Sequence, residues 1–449
     1  MGNLRELDKR HFIHPTSSIG QQQEQGAKVI MEKGDGVYLT DTNGNAYIDA
    51  MSSLWNVNVG HGRTELAEAA ASQMGKLAFS SAFSTFSHEP AIRLAEKIAS
   101  ISPKGLNAVF FTSGGSESND SAIKLVRHYW KILDKPDRKK VISLKRGYHG
   151  VAAASTSATG IPEFWDMAGH MMTDFTHAKS PYEIGTEQAI NSLRQVIEEN
   201  GAETIAAFLV EPIQGAGGVL VPPTDYFKEV RKVCDEYDIL FIADEVITGF
   251  GRTGKMFGME NWGVIPDMMT IAKGITSGYI PLGGVVISDA IHNVLKEKSK
   301  GTLFHGFTYS GHPVAASVAL KNIGIIELEG LVENSKKMGE VLLNGFQAMK
   351  KELDIVGDVR TMGLLGAVEL VQNPETNERF TPDMQVAPKV IEALHQRGVI
   401  CRSVTYDSTD IICFSPPLVI NETQINTIVE KLHDAVKSVQ KDVQKVSKR

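Results

Sequence analysis

Two charged residues, Asp244 and Lys273, each stand at the end of an apolar run in this chain. Asp244 falls within residues 239–247 and Lys273 within residues 269–274, so one short connection separates the two runs. This arrangement suits pyridoxal phosphate (PLP), because a lysine amine condenses with the cofactor aldehyde while a carboxylate pairs with the protonated pyridine nitrogen. The alternative is that both side chains leave a strand end for solvent, since charged groups are mostly exposed. The pair raises PLP chemistry as a hypothesis that the rest of the chain must decide.

A glycine-rich turn that could bind phosphate lies within residues 110–120, where a short apolar strand leads into the start of a helix. The N-terminus of a helix offers unpaired N–H groups and a partial positive charge, and glycine allows an anion to approach closely. Gly115 and Ser116 are the expected backbone donors, with the Ser116 hydroxyl as a further one. The alternative is an ordinary helix capped by Ser113. No lysine follows the turn, so it is not an ATP-type P-loop.

A second glycine-rich segment, residues 249–254, matches the pattern G-x-G-x-x-G. Together with Lys255 it is close to an ATP-binding loop, but Met256 stands where serine or threonine is required. The segment follows a strand, yet glycines and Pro266 interrupt any helical period after it. A dinucleotide site needs that helix, because the N-terminus of the helix binds the pyrophosphate. We therefore expect no nucleotide to bind here.

The elements that must position these residues alternate between strands and helices from residue 62 onward. Strands are expected at residues 108–111, 140–144, 205–210, 239–242 and 284–287, and helices at residues 66–74, 91–101 and 122–133. This order predicts an α/β domain whose parallel sheet is covered by helices on both faces. Beyond residue 325, helices at 331–353, 388–396 and 422–443 alternate with strands at 363–370 and 399–404.

The change of pattern near residue 325 favours a large domain at 61–324 and a smaller α+β domain. The smaller domain is expected to combine residues 1–60, which include a hairpin at 37–49 around an Asn-Gly turn, with residues 325–449.

Composition restricts the class of protein. The 449 residues are 42% hydrophobic and 22% charged with a formal net charge of −7, as expected for a globular enzyme. Because nucleic-acid and membrane-surface binding usually need a basic patch, we expect neither partner. Three cysteines show no disulfide or zinc spacing, and the N-terminus lacks an apolar signal core. We expect a cytoplasmic protein without a metal site.

Seven motifs are specific enough to indicate a family, and they are Trp55-Asn-Val-Asn-Val-Gly-His-Gly62, Thr112-Ser-Gly-Gly-Ser-Glu-Ser-Asn119, Tyr148-His-Gly150, Glu211-Pro-Ile-Gln-Gly215, Asp244-Glu-Val246, Lys273-Gly274 and Phe307-Thr-Tyr-Ser-Gly-His-Pro313. In these motifs and their order the chain resembles the class III PLP-dependent aminotransferases of the ω-amino acid:pyruvate type, over nearly its full length. The resemblance implies fold type I, with a mostly parallel sheet of the seven-stranded kind in the large domain. PLP is the implied cofactor.

The resemblance also implies roles at the cofactor ring. Lys273 resembles the lysine that forms the Schiff base and then moves the proton, a task that a lowered amine pKa would favour. Asp244 would hold the ring nitrogen protonated. Val246 would pack on one face of the ring and Tyr148 would stack on the other, although Tyr148 could instead be a core aromatic residue.

The resemblance implies roles for three further positions. Glu211 would be a polar neighbour of the cofactor, contacting Asn119. Thr308, with the backbone N–H of Phe307, resembles the phosphate contact that family members take from the neighbouring subunit. The resemblance therefore implies a homodimer with active sites at its interface.

Substrate class is indicated by three positions. Ala216 stands where glutamate- and 2-oxoglutarate-dependent relatives carry an acid that pairs with a substrate-binding arginine, so pyruvate is the expected acceptor. Arg402 interrupts an apolar hairpin and must find an anion; by resemblance it binds a substrate carboxylate, and otherwise it pairs with a protein carboxylate. Trp55 would line the pocket for the amine substituent or else be a core residue.

The implied reaction is a ping-pong transfer of an amino group from a primary amine or ω-amino acid to pyruvate, giving alanine. Alternatives with the same cofactor are a taurine:pyruvate aminotransferase, a diaminopelargonate aminotransferase and an aminomutase or lyase. Val151 and the Leu54-Trp55 pair disfavour the diaminopelargonate enzyme, which usually has an aspartate and paired tryptophans there. A nucleotide-dependent enzyme using residues 249–255 is a more distant alternative.

Overall fold

The computed structural model describes residues 3–168 and 172–446. Its strands are β1 Met31–Asp35, β2 Tyr38–Asp41, β3 Ala46–Asp49, β4 Leu106–Thr112, β5 Lys140–Leu144, β6 Phe175–Ala178, β7 Ile205–Val210, β8 Leu240–Asp244, β9 Met268–Ile271, β10 Gly283–Ser288, β11 Val356–Met362, β12 Leu365–Leu370, β13 Val399–Ile400, β14 Arg402–Val404 and β15 Asp410–Phe414. Its helices are α1 Leu4–His11, α2 Ile19–Gln25, α3 Ser52–Trp55, α4 Thr64–Leu77, α5 Glu89–Ile101, α6 Gly115–Ile132, α7 Ala153–Ala158, α8 Pro162–Ala168, α9 Pro181–Asn200, α10 Tyr226–Glu236, α11 Asp289–Lys298, α12 Pro313–Leu328, α13 Leu331–Glu352, α14 Val386–Gln396 and α15 Glu422–Val446.

A seven-stranded sheet with the order β4-β10-β9-β8-β7-β5-β6 forms the centre of the molecule. Every neighbouring pair is parallel except those of β10, which runs antiparallel to both β4 and β9. Helices connect the parallel strands and cover the sheet, so all six residues of β7 are buried. The predicted α/β fold with a mostly parallel sheet is confirmed. Two short strands, β6 and β9, were not predicted as separate elements.

Two four-stranded sheets lie outside the central one, with the orders β1-β2-β3-β13 and β11-β12-β15-β14. The expected single strand at residues 399–404 is wrong, because the chain changes sheets there. Val399 pairs in parallel with Ile48 of β3, whereas Arg402 pairs antiparallel with Cys413 of β15. Arg402 lines the same cavity as Lys273, which follows β9 of the central sheet.

The expected domain boundary and two absences complete the description of the fold. The residue-325 boundary expected from the sequence falls inside α12, a largely buried helix that packs on α4 and α5. In the described part of the chain, no helix is sufficiently long and apolar to cross a membrane. Across residues 3–168 and 172–446, no group of three or more His, Cys, Asp or Glu side chains is arranged to hold a metal ion.

Candidate active site

Asp244 and Lys273 meet at the carboxyl edge of the central sheet. Asp244 ends β8, and Lys273 follows β9, its parallel neighbour, in a 3-10 turn. The alternative that Asp244 reaches solvent is wrong, since the residue is only 3% exposed. Lys273 has a φ of 48°, a left-handed conformation that is rare for a residue with a side chain and typical of functional sites. The tertiary fold therefore brings the two residues into one site.

Three donors hold the Asp244 carboxylate. Its Oδ2 accepts hydrogen bonds from Asn119 Nδ2 and His149 Nδ1, both at 2.8 Å, and its Oδ1 accepts from the backbone N–H of Val246 at 3.1 Å. Thr270 orients Asn119 in turn, because its hydroxyl donates to Asn119 Oδ1 at 2.9 Å. Both Asn119 and His149 stand in the sequence motifs, but no role towards Asp244 could be read from their positions in the chain.

The amine of Lys273 makes no hydrogen bond to any residue that the structure describes. Burial lowers the pKa of Lys273 below its ordinary value, and the carboxylates of Asp244 and Glu211 oppose that shift. Arg402 lowers the pKa further through its positive charge. A lysine with a lowered pKa is more often neutral and can act as a nucleophile and a base.

Beside this pair lies a cavity of about 210 Å³, which we call the cofactor cavity. It is lined by Leu54, Gly115, Ser116, Asn119, Tyr148, His149, Gly150, Glu211, Asp244, Val246, Ile247 and Lys273. Gly115 is the first residue of α6, and the N-cap is Gly114 rather than the Ser113 of the alternative interpretation. A Cβ on Gly115 would lie 3.0 Å from Val246 Cγ1, so the helix start packs closely against Val246.

The turn at Gly150 supports the Ser116 hydroxyl. The Oγ of Ser116 accepts a hydrogen bond from the backbone N–H of Val151 at 3.1 Å, which leaves its own proton available for an anion. Gly150 has a φ of 128°, and a Cβ there would lie 2.5 Å from Ser116 Oγ. Glycine is therefore required for the two backbones to approach at this point.

Tyr148 lines the cofactor cavity, and its ring lies 5.3 Å from that of Phe164. The backbone N–H of Tyr148 donates to Glu211 Oε1, and that of Gly215 donates to Glu211 Oε2, both at 2.9 Å. The expected contact of Glu211 with Asn119 is wrong. The side-chain amide of Asn119 donates its hydrogen bonds to Asp244 Oδ2 and to the backbone carbonyl of His149. Burial raises the pKa of Glu211 to about 7, with the His149 ring opposing the shift.

A larger cavity of about 500 Å³, the substrate cavity, shares Lys273 and Tyr148 with the first. Trp55, Ala216 and Arg402 all lie in its wall. The Trp55 side chain is almost fully buried, in a backbone conformation with a φ of 65°.

Arg402 pairs through its backbone in β14, but its guanidinium forms neither an ion pair nor a hydrogen bond with any group in residues 3–168 and 172–446. The alternative that it pairs with a protein carboxylate is therefore wrong for these residues. Its guanidinium lies in the wall of the substrate cavity and is available to an anion there.

Phe307 and Thr308 lie away from both cavities, and Thr308 is exposed. The backbone N–H of Phe307 donates to Ser310 Oγ at 3.1 Å. A phosphate in the cofactor cavity of the same chain would therefore not contact them.

The G-x-G-x-x-G segment has a structural role that the sequence did not reveal. Arg252, within it, is fully buried and donates from Nη2 to Ser52 Oγ at 3.0 Å and to Asn58 Oδ1 at 2.7 Å. Its Nη1 donates to the backbone carbonyl of Pro416. Arg252 thus holds the segment that carries Trp55. The sequence signal for this structural role was an arginine placed between glycines.

The residues lining the cofactor cavity fit PLP. A helix start with free N–H groups suits a phosphate, a buried carboxylate suits a pyridinium nitrogen, and a buried lysine with a lowered pKa suits an aldehyde. With the seven-stranded sheet, they define a PLP-dependent enzyme of fold type I.

Comparisons with known proteins agree with this class. The family model for class-III aminotransferases matches residues 19–436. The putrescine–pyruvate aminotransferase of Pseudomonas aeruginosa is 44% identical over 433 residues, which cover 94% of this chain and 93% of that protein. A transaminase from the marine bacterium Virgibacillus has a TM-score of 0.97 and 73% identity, covering 98% of this chain and 99% of that one.

The ω-transaminase of Pseudomonas jessenii, solved in complex with PMP, has a TM-score of 0.95 and 39% identity, covering 98% of this chain and 99% of that one. The chain belongs to the class-III aminotransferases and is a PLP-dependent enzyme.

Proposed function

We propose that this enzyme transfers an amino group from a primary amine or ω-amino acid to pyruvate, giving alanine, by a ping-pong mechanism. The observation that carries the proposal is the unpaired Arg402 in the same cavity as Lys273 and Ala216. A guanidinium without a protein carboxylate can bind the carboxylate of a keto acid, and it leaves room for an amine that has none. The likeness to a putrescine–pyruvate aminotransferase supports the same acceptor.

Bound PLP would supply an aldehyde for the amino group and an electron-withdrawing ring. Asp244, held by Asn119 and His149, would keep the ring nitrogen protonated. Lys273 Nζ would take the proton from the substrate carbon that carries the amino group and give it to the cofactor carbon that receives this group. Tyr148 packs on the ring, and its backbone is held by Glu211.

The remaining contacts of the cofactor follow from the cavity wall. Val246 and Tyr148 both line the cavity, and Val246 would hold the ring on the face opposite Tyr148. Gly115 and Ser116 bind the phosphate at the start of α6, where the N–H groups are unpaired. Trp55 restricts the space for the amine substituent. These groups bind and orient the reactants, whereas Lys273 alone moves a proton.

Homodimerisation is a further part of the proposal. Thr308 and the Phe307 N–H lie outside the cofactor cavity of their own chain, and nearby aromatic rings are strongly exposed, with Phe304 at 94% and Phe86 at 70%. An exposed aromatic patch is typical of an interaction surface. A second copy would cover it and place Thr308 against the partner's phosphate. Light scattering of the holoenzyme should give the dimer mass, and a monomer would contradict this part.

Domain division and location are also proposals. Residues 1–60 and 325–449 together form the smaller domain, and residues 61–324 form the large one. The smaller domain supplies Trp55 and Arg402 to the substrate cavity. A cytoplasmic location is supported by the three cysteines, which are all free and buried.

Acceptor choice tests the reaction. With a diamine donor, alanine should form from pyruvate in step with the loss of the amine. A strong preference for 2-oxoglutarate would contradict the argument from Ala216, and turnover without an acceptor would favour the aminomutase.

Lys273→Ala tests the catalytic assignment. This variant should lose turnover and the yellow colour of the bound cofactor. The matched control is Lys255→Ala, since Lys255 is an exposed lysine of the glycine-rich segment. It should retain both properties. Turnover of Lys273→Ala at the wild-type rate would remove the basis of the proposal.

A further inference from the structure

A third cavity, of about 300 Å³, lies at the carboxyl edge of the sheet and shares no lining residue with the other two. Lys145 directly follows β5 and Lys179 directly follows β6, and these two strands are parallel neighbours at one end of the sheet. Ligands of open α/β sheets bind outside the carboxyl ends of the strands. The cavity thus has the position of a ligand site, at a distance along the sheet edge from Asp244 and Lys273.

Arg146 is the buried cation of this cavity and is 7% exposed. Its Nη2 donates to the carbonyl of Gly217 at 2.8 Å and to Thr409 Oγ1 at 3.3 Å. Its Nε and Nη1 are buried and have no hydrogen-bond partner in the part of the chain described. Buried polar groups in native proteins almost always have partners, so these two nitrogens require acceptors from a ligand or from solvent.

The protein carboxylates nearby do not meet this requirement. Glu183 lies 3.9 Å from Nη1 and Asp407 lies 3.8 Å from Nε, both too far for a hydrogen bond. Glu183 is instead hydrogen-bonded to Arg379. The side chain of Asp407 is 60% exposed, and its carboxylate makes no hydrogen bond within the described residues. An entering carboxylate can therefore replace Asp407 beside Arg146.

The rest of the wall indicates the chemistry of the ligand. Lys145 and Lys179 add two positive charges, so the cavity has three cations against the two carboxylates. Ile184, Leu220 and Tyr182 provide an apolar portion. Inorganic phosphate would leave that portion unused, whereas a carboxylic acid with a short hydrocarbon body would use both portions.

We propose that this cavity binds a small carboxylic acid, whose carboxylate accepts hydrogen bonds from Arg146 beside Lys145 and Lys179, and whose hydrocarbon body packs on Leu220 and Ile184. This is a second site, separate from Arg402, for the chemical class to which the keto-acid acceptor belongs. The proposal does not depend on which acceptor the active site uses.

The test uses isobutyrate as the probe, because it has neither an amino nor a keto group. Calorimetric titration of the PLP-loaded Arg402→Met variant removes the active-site carboxylate contact and isolates the second site. Saturable binding should persist there. Adding Lys179→Met, or separately Lys145→Met, should weaken it about tenfold, since each removes a charge-assisted contact. Adding Lys296→Met, an exposed lysine of α11, is the matched control and should change nothing.

Two results would overturn the proposal. The first is the absence of saturable binding in Arg402→Met when the wild-type holoenzyme binds isobutyrate, which would place all binding at the active site. The second is equal binding with and without Lys179→Met and Lys145→Met. Arg146→Lys keeps the charge but loses the additional N–H groups, and should also weaken binding. Failure of pyruvate as an acceptor would leave all of these measurements unchanged.

Discussion

Arg402→Met should separate the two halves of the reaction. In the structure the guanidinium is unpaired and lines the substrate cavity, so its expected partner is the substrate carboxylate. Charge-assisted hydrogen bonds to a carboxylate contribute about 1.5–3 kcal/mol, so kcat/KM for pyruvate should fall about 10- to 150-fold. A donor amine without a carboxylate makes no such contact, and its kcat/KM should change by less than about threefold.

Stopped-flow absorbance of the cofactor measures each half-reaction separately. Arg402→Lys should lie between the wild type and Arg402→Met, because lysine keeps the charge but cannot bind a carboxylate with two parallel N–H groups. Arg194→Met is the matched control, since Arg194 pairs with Glu236 on the surface. It should leave both half-reactions unchanged.

Stability distinguishes this account from a structural role of Arg402. No protein carboxylate in the described chain loses its partner in Arg402→Met, so the free energy of unfolding should stay within about 1 kcal/mol of the wild type. An unchanged kcat/KM for pyruvate would refute the reasoning. A large loss of stability, measured by urea unfolding, would show that Arg402 has a protein partner after all.

Three further predictions concern the cofactor and substrate cavities. Gly150→Ala introduces a Cβ against Ser116 Oγ in a left-handed conformation. The resulting strain of about 1–3 kcal/mol should raise the PLP dissociation constant about 5- to 150-fold in equilibrium dialysis. An unchanged affinity would contradict the role of this turn. Ala216→Glu places a carboxylate in the same cavity as Arg402, so the KM for pyruvate should rise about tenfold in steady-state assays, whereas an unchanged KM would mean that the two side chains do not meet. The pKa of Glu211 is raised to about 7 in the folded protein. Between about pH 4.5 and 7 the folded state therefore keeps a proton on Glu211 that the unfolded state has lost, and the free energy of unfolding should decline as the pH rises through this range. Glu211→Gln should reduce that decline in urea unfolding of the cofactor-free protein, and identical slopes would show that Glu211 does not titrate in this range.

Local patterns in the chain were sufficient for most of the central sheet. Strands β5 and β7 have the predicted bounds, because a short apolar run between turns is a strong local signal. The strand expected at residues 399–404 failed for the opposite reason. The strand divides into β13 and β14 because the two parts pair with different strands. Val399 of β13 pairs with Ile48 of β3, and Arg402 of β14 pairs with Cys413 of β15 in another sheet. These pairings cannot be read from the local pattern at residues 399–404.

The site shows the same division between local and distant information. The sequence by itself determined the PLP class, because Asp244, Lys273 and the turn at Gly115 belong to seven short motifs that occur in one order, whereas each feature alone left a structural alternative open. Only the tertiary structure decided how Asp244 is held. Asn119 and His149 reach it from α6 and from the loop after β5, and such convergence depends on packing between elements far apart in the chain.

Arg402 is the clearest case of what the fold alone decides. The sequence required an anion for this guanidinium but left the choice between a substrate and a protein carboxylate open. That choice depends on which acidic side chains come within about 4 Å, a distance set by long-range packing. Within the residues that the structure describes, none does, and Asp244 and Lys273 lie at the same opening of the sheet.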